Sequence, residues 1–104
     1  MTSVFKALAD PSRREVLEIL QRGPLTAGEL AAHFEVSKPT MSAHFAVLVA
    51  AGLIQAEKSG RTITYRLKMS VLEEALLGFA QTFGLKIARE STKRVSRKPS
   101  RENA

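Results

Sequence analysis

Val36-Ser37-Lys38-Pro39-Thr40-Met41-Ser42-Ala43-His44-Phe45-Ala46-Val47-Leu48 is the stretch on which the fold turns. Ser37 is a good N-cap, because a serine oxygen accepts from the free N–H groups of a first helical turn. Met41, Phe45 and Leu48 recur at i, i+4 and i+7, so one side of a helix reaching about Ala51 is apolar and inward. Gly52 ends that helix. At about 100° per residue, Pro39, Ala43, Val47 and Ala50 point furthest from the core, with Thr40 and Ser42 on the flanks.

Upstream, Thr26-Ala27-Gly28-Glu29 reads as a capping box that opens another helix, reaching about Phe34 with Leu30 and Phe34 inward. Only Glu35-Val36 separates it from Ser37, which forces a sharp helix crossing. Before that, Asp10-Pro11 starts a helix running to about Arg22, since Asp caps and Pro at the first position has no N–H to leave unpaired. Its apolar face is Val16, Leu17, Ile19 and Leu20, and Gly23-Pro24 stops it. A short first helix holds Val4, Phe5, Ala7 and Leu8.

Downstream the period changes to two. Ile54 and Ala56 alternate with Gln55 and Glu57, and Ile63, Tyr65 and Leu67 alternate with Thr62, Thr64 and Arg66. Lys58-Ser59-Gly60-Arg61 between them marks a β-hairpin with a basic tip. Ser70 is expected to cap a last helix from Val71 to about Phe83. Its Leu72, Ala75, Leu76, Phe79, Ala80 and Phe83 cover about half the cylinder, more than the edge of a small domain can bury. A helix from a second subunit would take the surplus. The reading is mainly α with a hairpin, in the order α-α-α-α-β-β-α.

A chain of 104 residues with 44% apolar content suits one domain with a modest core, residues 1–85. The absence of cysteine excludes disulfides, thiolate metal sites and cysteine nucleophiles. Neither a secretory leader nor a membrane span is apparent, so the cytoplasm is the expected location. The net charge is +6. Lys86, Arg89, Lys93, Arg94, Arg97, Lys98 and Arg101, against Glu90 and Glu102, place most of that excess in segment 86–104, an expected disordered tail. Basicity favours a polyanionic partner, but the case for the globular part must come from local pattern.

That pattern is a helix-turn-helix followed at once by a basic-tipped hairpin. Small residues on the outer side of the Ser37 helix allow close approach to base edges in a major groove. Lys38, Thr40 and Ser42 supply hydrogen bonds, and the helix N-terminus favours phosphate. Lys58 and Arg61 would grip the backbone or the minor groove. The deep, narrow major groove of double-stranded RNA would not admit the helix. No catalytic motif accompanies this scaffold, so an enzyme is not expected.

Val4 to Arg14 (VFKALADPSRR), Leu25 to Ala31 (LTAGELA), Val36 to Phe45 (VSKPTMSAHF) and Ala51 to Ile54 (AGLI) together resemble the ArsR/SmtB-type repressors over about residues 2–85. The likeness is strongest to the SdpR-type autorepressors, which lack metal ligands. The resemblance implies a winged-helix homodimer paired through its first and last helices, here Val4, Phe5, Leu8, Leu72, Leu76, Phe79 and Phe83. It implies a double-stranded DNA site made by Ser37, Lys38, Pro39, Thr40, Ser42, Ala43 and His44 with Lys58 and Arg61. It also implies inverted-repeat operators and release on a signal, whose small-molecule or protein inducer the sequence does not identify. The metal-sensing branch carries paired cysteines in the third helix, and Thr26 to Phe34 has none. Glu73 and Glu74 are adjacent and so diverge on a helix, and neither metal nor cofactor is expected. Phe45 stands where the family usually has Leu.

His44 has three readings: DNA contact, metal ligand and pH switch. Its position nearer the buried side than Ala43 favours a side chain bridging core and phosphate. His33, beside Phe34, reads as a surface or packed residue. Arg13 and Arg14 sit at a helix start, where a cation is disfavoured, and are expected to pair with Glu18 or a nearby carboxylate. Thr64 and Arg66 are expected to face outward, within reach of backbone phosphate. The alternative function is a winged-helix protein-protein interaction module, docking a partner through the hairpin and last helix.

Overall fold

Asp10 accepts from the N–H groups of Ser12 (2.7 Å) and Arg13 (3.2 Å), and that cap starts the first long helix of the chain. The computed structural model describes residues 2–86. In order they form α1 (Thr2–Leu8), α2 (Pro11–Leu20), β1 (Leu25–Thr26), α3 (Ala27–Ala31), α4 (Lys38–Ala50), β2 (Ile54–Ser59), β3 (Thr62–Leu67) and α5 (Met69–Thr82). The expected order of helices and hairpin stands, with one added strand. β1 pairs antiparallel with β3, making a three-stranded sheet ordered β1-β3-β2. Segment 86–104, apart from Lys86, lies outside the described residues.

Local chemistry accounts for most boundaries. Thr26 and Glu29 form the reciprocal box, at 3.1 and 2.9 Å. α4 ends on Gly52, whose positive φ of 79° suits the residue just past a helix. Gly52 N–H donates to Val49 O, and Leu53 N–H donates back to Leu48 O at 3.0 Å. Leu48 and Leu53, the pair whose apolar contact accompanies such a closure, are both fully buried in the core cluster.

Several boundaries differ from the sequence reading. α2 stops at Leu20 and α3 at Ala31 rather than near Arg22 and Phe34, because three-residue-spaced bonds tighten both ends. Gly23 N–H donates to Leu20 O, and Phe34 N–H donates to Ala31 O. Ser70 does not cap α5. The helix begins at Met69 without a side-chain cap, and Lys68 N–H is already held by Leu53 O at 2.9 Å. Ala56 is exposed, contrary to the alternation: β2 buries Ile54 and then leaves the protein surface.

The core gathers Val16, Leu30, Met41, Phe45, Leu48 and Leu53, drawn from α2, α3, α4 and the turn after α4. Val4 and Ala7 of α1 are buried in the same cluster. α5 buries only Ala75 and Ala80 completely. Leu76, Leu77, Phe79 and Phe83 remain exposed, Phe83 at 65%.

Candidate nucleic-acid interface

Ser37 begins α4 as expected, its Oγ accepting from Thr40 N–H at 3.3 Å and donating to Thr40 Oγ1 at 2.9 Å. No acidic side chain occupies the first turn, so the positive end of the helix is left uncompensated beside Lys38. Met41, Phe45 and Leu48 all point into the core. Ser37, Lys38, Pro39, Thr40, Ser42 and Ala43 are exposed together, which gives a surface of small and hydrogen-bonding groups.

The exposed arc is rotated from the one the helical wheel gives. Val47 is half-buried and packs against the core, while Ala46 and Val49 are exposed. The reason is tertiary: α1 and α2 both pack on α4, Arg13 of α2 reaches His44, and Val47 packs against the core. His44 is half-buried accordingly. Ala46 therefore joins the outer arc, a residue that spacing alone did not select.

Arg13 is the other residue that sequence reasoning misplaced. Among the described residues it pairs with no carboxylate. Its Nε donates to Ala7 O at 2.7 Å, Nη2 donates to Lys6 O at 3.1 Å, and Nη1 lies 3.4 Å from His44 Nδ1. Arg14 Nη1 donates to Leu8 O at 2.7 Å. Both arginines thus satisfy the carbonyls that end α1, where a cation is favoured, instead of repelling the start of α2. Asp10 lies beside this cluster. Partial burial pushes its carboxyl up, but the N–H groups of Arg13 and Ser12 and the charges of a protonated His44 and of Arg13 outweigh that, leaving it below its ordinary value.

Lys58, Ser59, Gly60, Arg61 and Thr62 are exposed at the hairpin tip, and Gly60 adopts the positive φ of 62° that the turn requires. Arg66 does face outward but already meets Glu57 at 3.4 Å. An exposed pair of this kind contributes about 0–1 kcal/mol and is easily exchanged for phosphate. Thr64 is half-buried and lies opposite Thr26 in β1. His33 is a surface residue. Among the described residues no three His, Cys, Asp or Glu side chains converge as metal ligands would.

A second surface is formed by α1 and α5. Phe5 of α1 meets Phe79 of α5 at 5.2 Å between ring centroids, and Phe79 meets Phe83 at 4.8 Å. These rings line an open groove with Lys6, Gly78 and Gln81. Leu8 and Leu72 are half-buried and packed against the core, and Val4 is buried within its own protomer.

A helix-turn-helix domain profile matches residues 8–57, which contain α3, its turn and α4. The chain is 42% identical over 76 residues to the transcriptional repressor SdpR of Bacillus subtilis, covering 73% of this chain and 84% of that one. The chain belongs to the ArsR family of transcriptional repressors. An arsenical resistance operon repressor of Staphylococcus xylosus is 38% identical, with 70% of each chain covered. The crystal structure of an ArsR family transcriptional regulator superposes with a TM-score of 0.68 at 34% identity, over 83% of this chain and 92% of that one. This ArsR-family protein is a DNA-binding regulator built on a winged helix, and not an enzyme. No helix among the described residues is long and apolar enough to cross a membrane.

Proposed function

We propose that this chain represses transcription in the cytoplasm as a homodimer, placing two copies of α4 in successive major grooves of an inverted-repeat operator, roughly 34 Å apart. The observation that carries the reading is the outer arc of α4. Its core side is committed to Met41, Phe45 and Leu48, while Lys38, Pro39, Ser42 and Ala43 stand bare. Small side chains let the helix backbone approach the bases, and Lys38, Thr40 and Ser42 offer hydrogen-bonding groups there. His44 works from the edge of the arc. Lys58 and Arg61 contribute charge toward phosphate, which adds affinity without sequence preference.

Pairing through α1 and α5 is supported by the aromatic row of Phe5, Phe79 and Phe83 with Leu76. These are large apolar side chains on one surface that the protomer leaves open. Leu8 and Leu72, half-buried on the same two helices, and Val4 of α1 are assigned to the pairing region with it. Two-fold pairing would make the DNA half-sites symmetric. Segment 86–104 would add non-specific attraction for the duplex.

Selection from random duplexes with the purified protein, followed by footprinting, tests the whole reading. A palindromic motif protected on both half-sites is the expected result. Enrichment of no motif, with a protein partner bound by the same surface, would instead favour an interaction module.

A further inference from the structure

Arg13 holds three groups at once, two carbonyls at the end of α1 and the Nδ1 atom of His44 on α4. A guanidinium has donors only and stays charged, so Nδ1 must be the accepting nitrogen. His44 in that contact is therefore neutral and carries its proton on Nε2, on the opposite side of the ring. Among the described residues the His44 ring has no other hydrogen-bond partner. Imidazole free to choose would populate both tautomers and, when protonated, would turn a second donor toward Arg13.

We propose that Arg13 is a positioning residue for the DNA-reading helix: by occupying Nδ1 it fixes His44 as an Nε2–H donor, offered to an acceptor oxygen or nitrogen on the duplex. The inference rests on α4 being the DNA-contacting helix. It assigns to Arg13, which lies outside the exposed arc of α4, a share in DNA affinity exerted through His44. It also joins α1, part of the aromatic surface through Phe5, to α4 by one side chain. The sequence separation is 31 residues.

The test begins on the full-length protein without DNA, so that it does not depend on the interface. Long-range proton-nitrogen correlation spectra of histidine-labelled protein are recorded about two units above the ordinary imidazole pKa of ~6.5. The wild type should show His44 in the single Nε2–H form. Arg13→Ala should show a mixture of tautomers. Where that variant does not fold, Arg13→Lys replaces it, because a single ammonium can serve α1 but cannot span both carbonyls and the ring. A single Nε2–H tautomer persisting in whichever variant folds overturns the proposal.

Operator titrations complete the test. His44→Ala should weaken binding by roughly ten-fold, as for a charge-assisted hydrogen bond, Arg13→Ala by about two-fold, the share of the Nε2–H form that a free ring gives up, and the double variant by no more than His44→Ala. His44→Gln carries its own N–H near the Nε2 position, so in that background Arg13→Ala should cost nothing. Losses that multiply overturn the link, and so does an Arg13 effect that survives in the His44→Gln protein. A loss equal on all duplexes assigns the acceptor to phosphate, whereas a loss confined to one base pair assigns it to a base edge. Unchanged affinity in His44→Ala overturns the donor role, while variants of Lys38 and Ser42 report separately on whether α4 is the interface.

Discussion

Phe45 of α4 packs against Tyr65 of β3 with ring centroids 5.0 Å apart and planes inclined at 50°. The contact ties α4 to the hairpin whose tip carries Lys58 and Arg61. Phe45 is 2% exposed and anchors the inner side of the helix, and Tyr65 is half-buried on the strand leading away from the hairpin tip. The resemblance to the ArsR group marks this position as one where Leu is usual. The larger ring fits here because β3 supplies an aromatic partner.

Phe45→Ala is therefore expected to destabilise the fold by about 3–5 kcal/mol, as a large buried aromatic does when truncated. Denaturant unfolding followed by circular dichroism measures it. A loss below about 1 kcal/mol would mean that the ring is not part of the core. Burial also pushes the Tyr65 hydroxyl up. Its neutral form is thus favoured in the fold, and that contribution is complete below the ordinary value of about 10 and fades as pH rises through the folded one. Tyr65→Phe should flatten the alkaline limb of melting temperature against pH.

Acid should act through Asp10. Its carboxyl lies below the ordinary value in the fold, so its stabilising contribution is complete above the unfolded value and is lost as pH falls through the folded one. Asp10→Asn keeps an acceptor for the Ser12 and Arg13 N–H groups but does not titrate. Thermal melts should show a lower stability near neutrality, where the ionised carboxyl contributes, and a flatter decline in acid that converges on the wild type. An unchanged acid limb would remove Asp10 from the account.

Contacts to bases and to phosphate should separate cleanly. Lys38→Ala is expected to weaken operator binding by about 1–3 kcal/mol if its ammonium meets a base edge, with reduced preference at one position. Lys58→Ala and Arg61→Ala should each lower the salt slope of binding by about one while leaving sequence preference intact. Truncation after Leu85 should also reduce the slope and keep the preference. If truncation abolishes binding altogether, segment 86–104 and not α4 holds the DNA.

Phe83→Glu places a charge on the exposed aromatic just past the end of α5, where the protomer's own core is not disturbed. Sedimentation equilibrium should show a monomer with an unaltered melting profile apart from its lost concentration dependence. A dimer that persists would move the pairing surface elsewhere.

What could be read from the sequence was local. The caps at Asp10, Thr26 and Ser37 act over three residues, and the inward row of Met41, Phe45 and Leu48 follows from helical spacing alone. The change to a period of two marked the hairpin and its basic tip. What escaped was set by distant neighbours. β1 has two residues and no period to detect, and it exists only because β3 lies alongside. Ala56 alternates correctly but lies beyond the last core residue that β2 covers. The true partners of Arg13 depend on α1, α2 and α4 meeting, which no spacing within any one segment encodes.

The central claim is that the outer side of α4 is open to a duplex. Ala43 is exposed there, and glutamate is a good helix former, so Ala43→Glu should fold as the wild type does while opposing phosphate with its charge and bulk. Titration of a fluorescent operator duplex with this variant, alongside its thermal melt, is the most direct measurement. The account predicts an unchanged melt and affinity reduced to the level of unrelated DNA. Operator affinity equal to the wild type's would contradict it.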